Sequence, residues 1–254
     1  MSSYADKLAE RIESAETRLC VGLDPRPDQH PTDDLEAWLQ EVIEETAEFA
    51  AAFKPNIAYF EALGVEGYQL LEDLLTWIPE EIPVILDCKR GDIGVTQEYY
   101  AKAYFGRWDV DAVTLSPYLG AQTMGPFLEY PDKGVYLLGI TTNEGSKDIQ
   151  RKELIDGRSV YELVGKMAQK RPEQVGMVLG LTNVDEEILD RVPDVPLLIP
   201  GLGAQGGDLD ALAGQTRSAP NIVNVSRGIL YHEPKRSFAE KAEDYANQIT
   251  EVLG

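Results

Sequence analysis

The chain has 254 residues, 43% of them hydrophobic, and its 44 Asp and Glu against 23 Lys and Arg leave a formal net charge of −21. That length and apolar content suit one large α/β domain or two small ones, with enough apolar material for a sizeable core. The negative charge runs along the whole chain and opposes nucleic-acid phosphates and anionic membranes as partners. Its even spread, as in Glu41 to Glu48 and Asp185 to Asp190, is read as an acidic, halophile-like surface suited to high salt. With no basic, apolar leader and no apolar run near the ~20 residues of a membrane span, a soluble, cytoplasmic protein is expected.

In chain order, apolar and β-branched runs occur at Arg18–Leu23, Ala51–Pro55, Pro83–Asp87, Ala112–Ser116, Gly134–Ile140, Val175–Leu181, Pro196–Pro200 and Ile222–Val225. Segments of helical period lie between them. Leu35, Trp38, Leu39, Val42, Ile43 and Ala47 share one helix face, and Leu63, Leu70, Leu71 and Leu74 behave similarly. A last helix, with Ser237 as N-cap, would bury Phe238, Tyr245, Ile249 and Val252. The segment from Thr141 to about Arg171 reads as a loop and helix after the fifth strand. Eight near-continuous strands alternating with helices predict a single-domain (β/α)8 TIM barrel over residues 1–254. An open, doubly wound sheet is disfavoured by the strand count and by the lack of a Gly-x-Gly-x-x-Gly turn after the first strand. No linker, repeat or low-complexity tract divides the chain. Cys20 and Cys88 sit inside apolar strands as reduced core thiols, and His30 and His232 lack ligand-like spacing, so no metal site is expected.

In a barrel the reacting groups gather at the C-terminal ends of the strands. Here those ends are polar. The first strand ends at Asp24, the second carries Lys54 in Phe53-Lys54-Pro55-Asn56, and the third leads into Asp87-Cys88-Lys89-Arg90-Gly91-Asp92. Residues i and i+2 of a strand share a side, so Asp87 and Lys89 should project together. Successive strands thus deliver three carboxylates and two ammonium groups to one region, an arrangement suited to a lysine held protonated for proton transfer. A structural ion pair capping the strand is the plain alternative for the Asp-x-Lys pair alone. After the seventh strand comes Pro200-Gly201-Leu202-Gly203-Ala204-Gln205-Gly206-Gly207-Asp208, and after the eighth Ser226-Arg227-Gly228. Glycines let backbone N–H groups approach a phosphate closely, and an arginine can hold its oxygens in a bidentate manner. Ser116-Pro117-Tyr118-Leu119-Gly120 and Thr141-Thr142-Asn143-Glu144-Gly145 could add hydrogen bonds to a polar ring.

These residues together resemble orotidine 5′-phosphate decarboxylase, in particular its longer bacterial and archaeal branch. The resemblance covers most of the chain: Val-Gly-Leu-Asp ending at Asp24, Phe-Lys-Pro-Asn around Lys54, Asp-x-Lys-x-x-Asp-Ile-x-x-Thr from Asp87 to Thr96, Pro-Tyr-Leu-Gly from Pro117, Pro-Gly-x-Gly-Ala-Gln-Gly-Gly from Pro200 and Ser-Arg-Gly-Ile-Leu from Ser226. It implies decarboxylation of orotidine 5′-monophosphate to uridine 5′-monophosphate, the last step of pyrimidine nucleotide synthesis, without cofactor or metal. By the same resemblance Lys89 protonates C6, Asp87 faces the substrate carboxylate, Lys54 bridges Asp87 and the ribose, and Asp24 contacts a ribose hydroxyl. Gln205, Gly206 and Arg227 hold the phosphate. Asp92 and Thr96 reach into a neighbouring subunit, which implies a homodimer with shared active sites.

Two positions depart from the family pattern. Thr142 stands where a serine usually meets the pyrimidine amide edge, which keeps the hydroxyl, and Glu144 replaces a proline. The Asp-x-Lys-x-x-Asp element is shared with relatives acting on sugar phosphates, so a magnesium-dependent lyase or decarboxylase using Asp24, Asp87 and Asp92 is a second reading. A catalytically silent phosphate-binding barrel is a third, against which the intact Lys54, Asp87, Lys89 and Asp92 set argues.

Overall fold

Strands covered on both faces need continuous apolar sequence, and the eight apolar runs are where this chain makes them. The computed structural model describes residues 2–26, 28–29, 34–203, 209–214 and 217–253. Its strands are β1 (Leu19–Leu23), β2 (Ala52–Pro55), β3 (Ile85–Arg90), β4 (Ala112–Leu115), β5 (Gly134–Ile140), β6 (Val175–Leu179), β7 (Leu197–Pro200) and β8 (Asn221–Val225). They lie in the order β2-β1-β8-β7-β6-β5-β4-β3, every neighbouring pair parallel. Parallel bridges between Phe53 and Val84 and between Asn56 and Asp87 bring β2 to β3 and close the ring. The expected (β/α)8 TIM barrel is therefore the fold, and the open-sheet alternative falls because the two end strands meet.

The strand limits differ from the apolar runs where something other than hydrophobicity acts. The third run predicts an end at Asp87, yet β3 continues to Arg90, which pairs with Leu115 after a register shift. The sixth run predicts a strand through Leu181. It stops at Leu179 because the chain turns at Gly180 into a short 3-10 segment, Leu181–Asn183.

Alternation along the strands sorts side chains between two cores. Leu19, Val21 and Leu23 of β1 belong to the large core beneath the helices. The smaller core, inside the barrel, takes one residue from each strand: Cys20, Ala52, Ile85, Ala112, Tyr136, Val178, Leu198 and Ile222. Small Cys and Ala side chains leave room for the Tyr136 ring, which meets Tyr4 edge-on with centroids 5.8 Å apart. Tyr4 comes from the helix Tyr4–Ala15, whose Tyr4 and Leu8 close the barrel floor, and the two phenol oxygens share a hydrogen bond of 3.1 Å. This approach requires glycine at 134, where a Cβ would lie 2.3 Å from the Tyr4 ring.

Outside, Leu35–Thr46 is capped by Asp34, whose carboxylate accepts the Ala37 N–H, and it buries Trp38, Leu39, Val42 and Ile43 as its period requires. The helix Val65–Trp77 buries Leu71 and Leu74, but Leu63 falls in the turn before it. Ser237 caps Phe238–Leu253: its hydroxyl accepts the Glu240 N–H while the Glu240 carboxylate accepts the Ser237 N–H. Of the four apolar residues expected inside that helix, Ile249 is fully buried, while Phe238, Tyr245 and Val252 are half-buried against the core. Among the described residues no helix is long and apolar enough to cross a membrane.

Candidate active site

The inward alternation that builds the barrel core continues upward into a polar layer. Above Cys20, Ala52, Ile85, Ala112 and Ile222, two residues further along each strand or its end, stand Gly22, Lys54, Asp87, Thr114 and Asn224. Lys54, Asp87, Thr114 and Asn224 line a cavity of about 360 Å³ at the C-terminal mouth of the barrel, floored by Leu138, Val178 and Leu198. Asp24, Lys89, Thr142 and Arg227 also stand in its wall.

Asp87 is the hub. Its Oδ2 lies 3.1 Å from Lys54 Nζ and its Oδ1 2.6 Å from Lys89 Nζ, while the Thr114 hydroxyl donates to Oδ1 at 2.9 Å. Burial alone would raise the Asp87 pKa, but Lys54 and Lys89 outweigh it and hold the carboxyl well below the usual carboxylate range. For Lys54, burial works toward a lower pKa, and the carboxylates of Asp87 and Asp24 more than offset it, so the net direction is upward. Lys54 is 4% exposed, a buried ammonium stabilised by its neighbours. The Lys89 side chain remains 47% exposed and so faces the open cavity. Its backbone is unusual: φ is +46°, left-handed for a residue with a Cβ. The i, i+2 expectation that Asp87 and Lys89 share a side holds, but within an irregular stretch of β3.

Asp24 Oδ1 is buried and finds no hydrogen-bond partner among the described residues. Its backbone carbonyl accepts from the Tyr231 hydroxyl at 2.9 Å, which anchors the chain at this point. Thr142 lines the cavity on a backbone tied down on both sides. Its carbonyl accepts from the Thr182 hydroxyl at 2.9 Å, and the adjoining Thr141 N–H donates to Gln150 at 2.8 Å. Glu144 is exposed in the short helical segment Glu144–Asp148 and does not line the cavity.

At the β7 and β8 ends, Gly201 and Gly203 have φ of 117° and 76°. A Cβ on Gly203 or Gly228 would sit 2.8 Å or 2.3 Å from the Tyr245 hydroxyl, so the last helix packs directly under both loops. Gln205 and Gly206 lie outside the described residues.

Asp92 and Thr96 do not join the cluster in their own chain. Neither lines the cavity, Asp92 Oδ1 accepts the neighbouring Ile93 N–H at 2.8 Å, and Thr96 is exposed. Of the three carboxylates and two ammonium groups expected together, the barrel therefore assembles Asp24, Asp87, Lys54 and Lys89 and leaves Asp92 outside. The reason is geometric: three residues beyond Lys89 the chain has left the strand for the outward-turning loop.

Sequence reasoning passed over Thr114 and Arg26. Thr114 reads as an ordinary β-branched strand residue, and only its inward parity marks it. Arg26, two residues past Asp24, lines the cavity with its guanidinium donating to the Tyr59 hydroxyl at 3.1 Å and resting between the Tyr59 and Tyr231 rings. Four cations, Arg26, Lys54, Lys89 and Arg227, thus surround a cavity with two carboxylates, Asp24 and Asp87, in a chain of net charge −21. The cavity lining thus carries more cations than carboxylates.

A family model described as orotidine 5′-phosphate decarboxylase / HUMPS family matches residues 17–242. The chain belongs to this family. A relative from Cupriavidus necator named orotidine 5′-phosphate decarboxylase is 41% identical over 99% of this chain and 97% of its own length. Among solved structures, the Leishmania donovani OMP decarboxylase is 37% identical with a TM-score of 0.87, each chain covered to 99%. The UMP synthase of the same organism is 38% identical with a TM-score of 0.89, and this chain spans 57% of its length.

Proposed function

We propose that the protein decarboxylates orotidine 5′-monophosphate to uridine 5′-monophosphate, the final step of UMP synthesis, with no metal or cofactor. The observation that carries this reading is the Lys54–Asp87–Lys89 array, a doubly paired buried carboxylate presenting an exposed ammonium to a cation-rich cavity. When the C6–carboxylate bond breaks, its electron pair stays at C6 in the plane of the ring, where the π system cannot take it up. Lys89 Nζ stabilises that pair and gives C6 a proton, leaving a neutral amine that regains a proton from solvent. Asp87 stands beside the substrate carboxylate and orients Lys89. Lys54 bridges Asp87 and the ribose, and the unpartnered Oδ1 of Asp24 suits a ribose hydroxyl. Thr142 contacts the pyrimidine amide edge.

Arg227, with Gln205 and Gly206, holds the phosphate. That group is remote from the bond that breaks, so its binding energy serves orientation and loop closure. Asp92 and Thr96 act in the site of a second copy, across a homodimer. Their position outside their own cavity supports this, as does the exposed apolar surface beside them: Ile93 and Val95 (each 63% exposed), Tyr99, Tyr118 and Leu119. A cytoplasmic location fits a soluble nucleotide substrate.

The test is the ultraviolet absorbance of orotidine monophosphate mixed with purified protein in EDTA. Loss of absorbance with stoichiometric formation of uridine monophosphate is expected. No change, or activity only on a pentulose or hexulose phosphate with magnesium, would replace the proposal.

A further inference from the structure

Between Leu86 and Arg90, β3 advances four residues while β4 advances two, because Leu86 pairs with Val113 and Arg90 with Leu115. Thr114 is thus the one β4 residue opposite a swelling made of Asp87, Cys88 and Lys89. Such irregularities bend a strand and re-aim its side chains. They also leave backbone groups without ladder partners, which in a buried place must be satisfied some other way.

Thr114 satisfies one of these groups and ties in two of the side chains. Its Oγ1 accepts the Lys89 N–H at 2.8 Å and donates to Asp87 Oδ1 at 2.9 Å, and its carbonyl accepts from Cys88 Sγ at 3.3 Å. A hydroxyl has one donor and two acceptor sites, so both side-chain bonds are made at once. Thr114 is 1% exposed and β-branched, which limits its χ1 and fixes the hydroxyl. The backbone it grips is the left-handed one, Lys89 at φ +46°. Lys89 and Asp87 therefore owe their relative placement to a side chain on a different strand.

We infer that Thr114 is a positioning residue of the proposed decarboxylation, locking the Lys89 backbone and the Asp87 carboxylate into one arrangement before substrate arrives. This rests on the function proposed above. Thr114→Val keeps the shape and removes the hydroxyl, leaving the Lys89 N–H unpaired and Asp87 short of a donor. Thr114→Ser keeps the hydroxyl. Because small misplacements of a reacting group can cost about 100-fold, kcat of the valine variant should fall at least about 30-fold with KM and UMP affinity within about threefold of wild type. The serine variant should recover kcat to within about threefold of wild type.

A valine variant with wild-type kcat would overturn the inference, as would equal losses of kcat and UMP affinity. A second readout needs no substrate: acetic anhydride modification of Lys89, mapped by mass spectrometry, should change several-fold in the valine variant and stay at the wild-type rate in the serine variant. An unchanged rate in the valine variant would also overturn the inference. If wild-type protein fails to turn over orotidine monophosphate but this labelling pattern holds, the function is wrong and the positioning role stands. Should the valine variant not fold, Thr114→Ala is read by the same two measurements.

Discussion

Lys54 and Asp87 keep their charges through the neutral pH range because each holds the other in its ionised form. The Asp87 pKa is lowered in the fold, so its pairing stabilises the protein above the unfolded value of 3.8 and that contribution is lost as pH falls below it. The Lys54 pKa is raised, so its contribution is present below 10.5 and lost as pH rises above that value. Between about pH 5 and 9 neither group changes charge, and the group that does titrate is the substrate phosphate, with a second pKa of about 6. Initial rates should therefore show kcat/KM declining below about pH 6 while kcat holds down to about pH 5. A kcat limb centred on an unperturbed carboxylate would contradict the paired state of Asp87. The charged residues were legible in the sequence because a charge in an apolar strand has few structural excuses. Thr114 was not, since a threonine in a strand needs none, and its role depends on a register shift that no local pattern announces.

Among the elements, β3 and its following loop carry the largest share of the proposed chemistry. The strand aims Asp87 and Lys89 inward, and the loop turns Asp92 outward beside exposed Ile93 and Val95. Mixing Lys89→Ala protein with Asp92→Ala protein, each inactive alone, should restore some activity once subunits exchange. No recovery after exchange is confirmed by mass spectrometry would refute sharing between subunits. The opposite end of the barrel depends on the helix Tyr4–Ala15 as a plug. Gly134→Ala would drive a methyl into the Tyr4 ring, and overpacking of this kind costs about 1–3 kcal/mol. Denaturant unfolding should show that loss with activity per folded molecule intact, because the cavity lies at the other mouth. Equal stability would show that the plug shifts freely. All eight strands could be read from apolar runs, and strand ends missed by one to three residues where glycine, bulges or turns overrode hydrophobicity. The small residues that make room for Tyr136 had no visible meaning before the inward parity was known.

At the scale of the whole molecule, a net charge of −21 surrounds a cavity ringed by four cations. An anionic nucleotide is repelled at long range and attracted at contact. Raising ionic strength from about 0.01 M to 0.15 M shortens the Debye length from about 30 Å to 8 Å, screening the distant repulsion more than the contacts inside the cavity. Then kcat/KM should rise several-fold over that range, and stability should rise with added KCl if the surface is adapted to salt. A steady fall in kcat/KM would mean that the local cations, and not the acidic surface, govern encounter. The sequence disclosed the overall charge but not this inversion, which arises only when four strand ends and their loops converge. The chemistry assigned to that inverted region rests on one ammonium, so the most direct measurement is the turnover of Lys89→Ala on orotidine monophosphate beside its affinity for uridine monophosphate. A loss of at least about 10³-fold in kcat is expected, with the fold intact and nucleotide binding largely kept. Turnover within tenfold of wild type would contradict the role of Lys89.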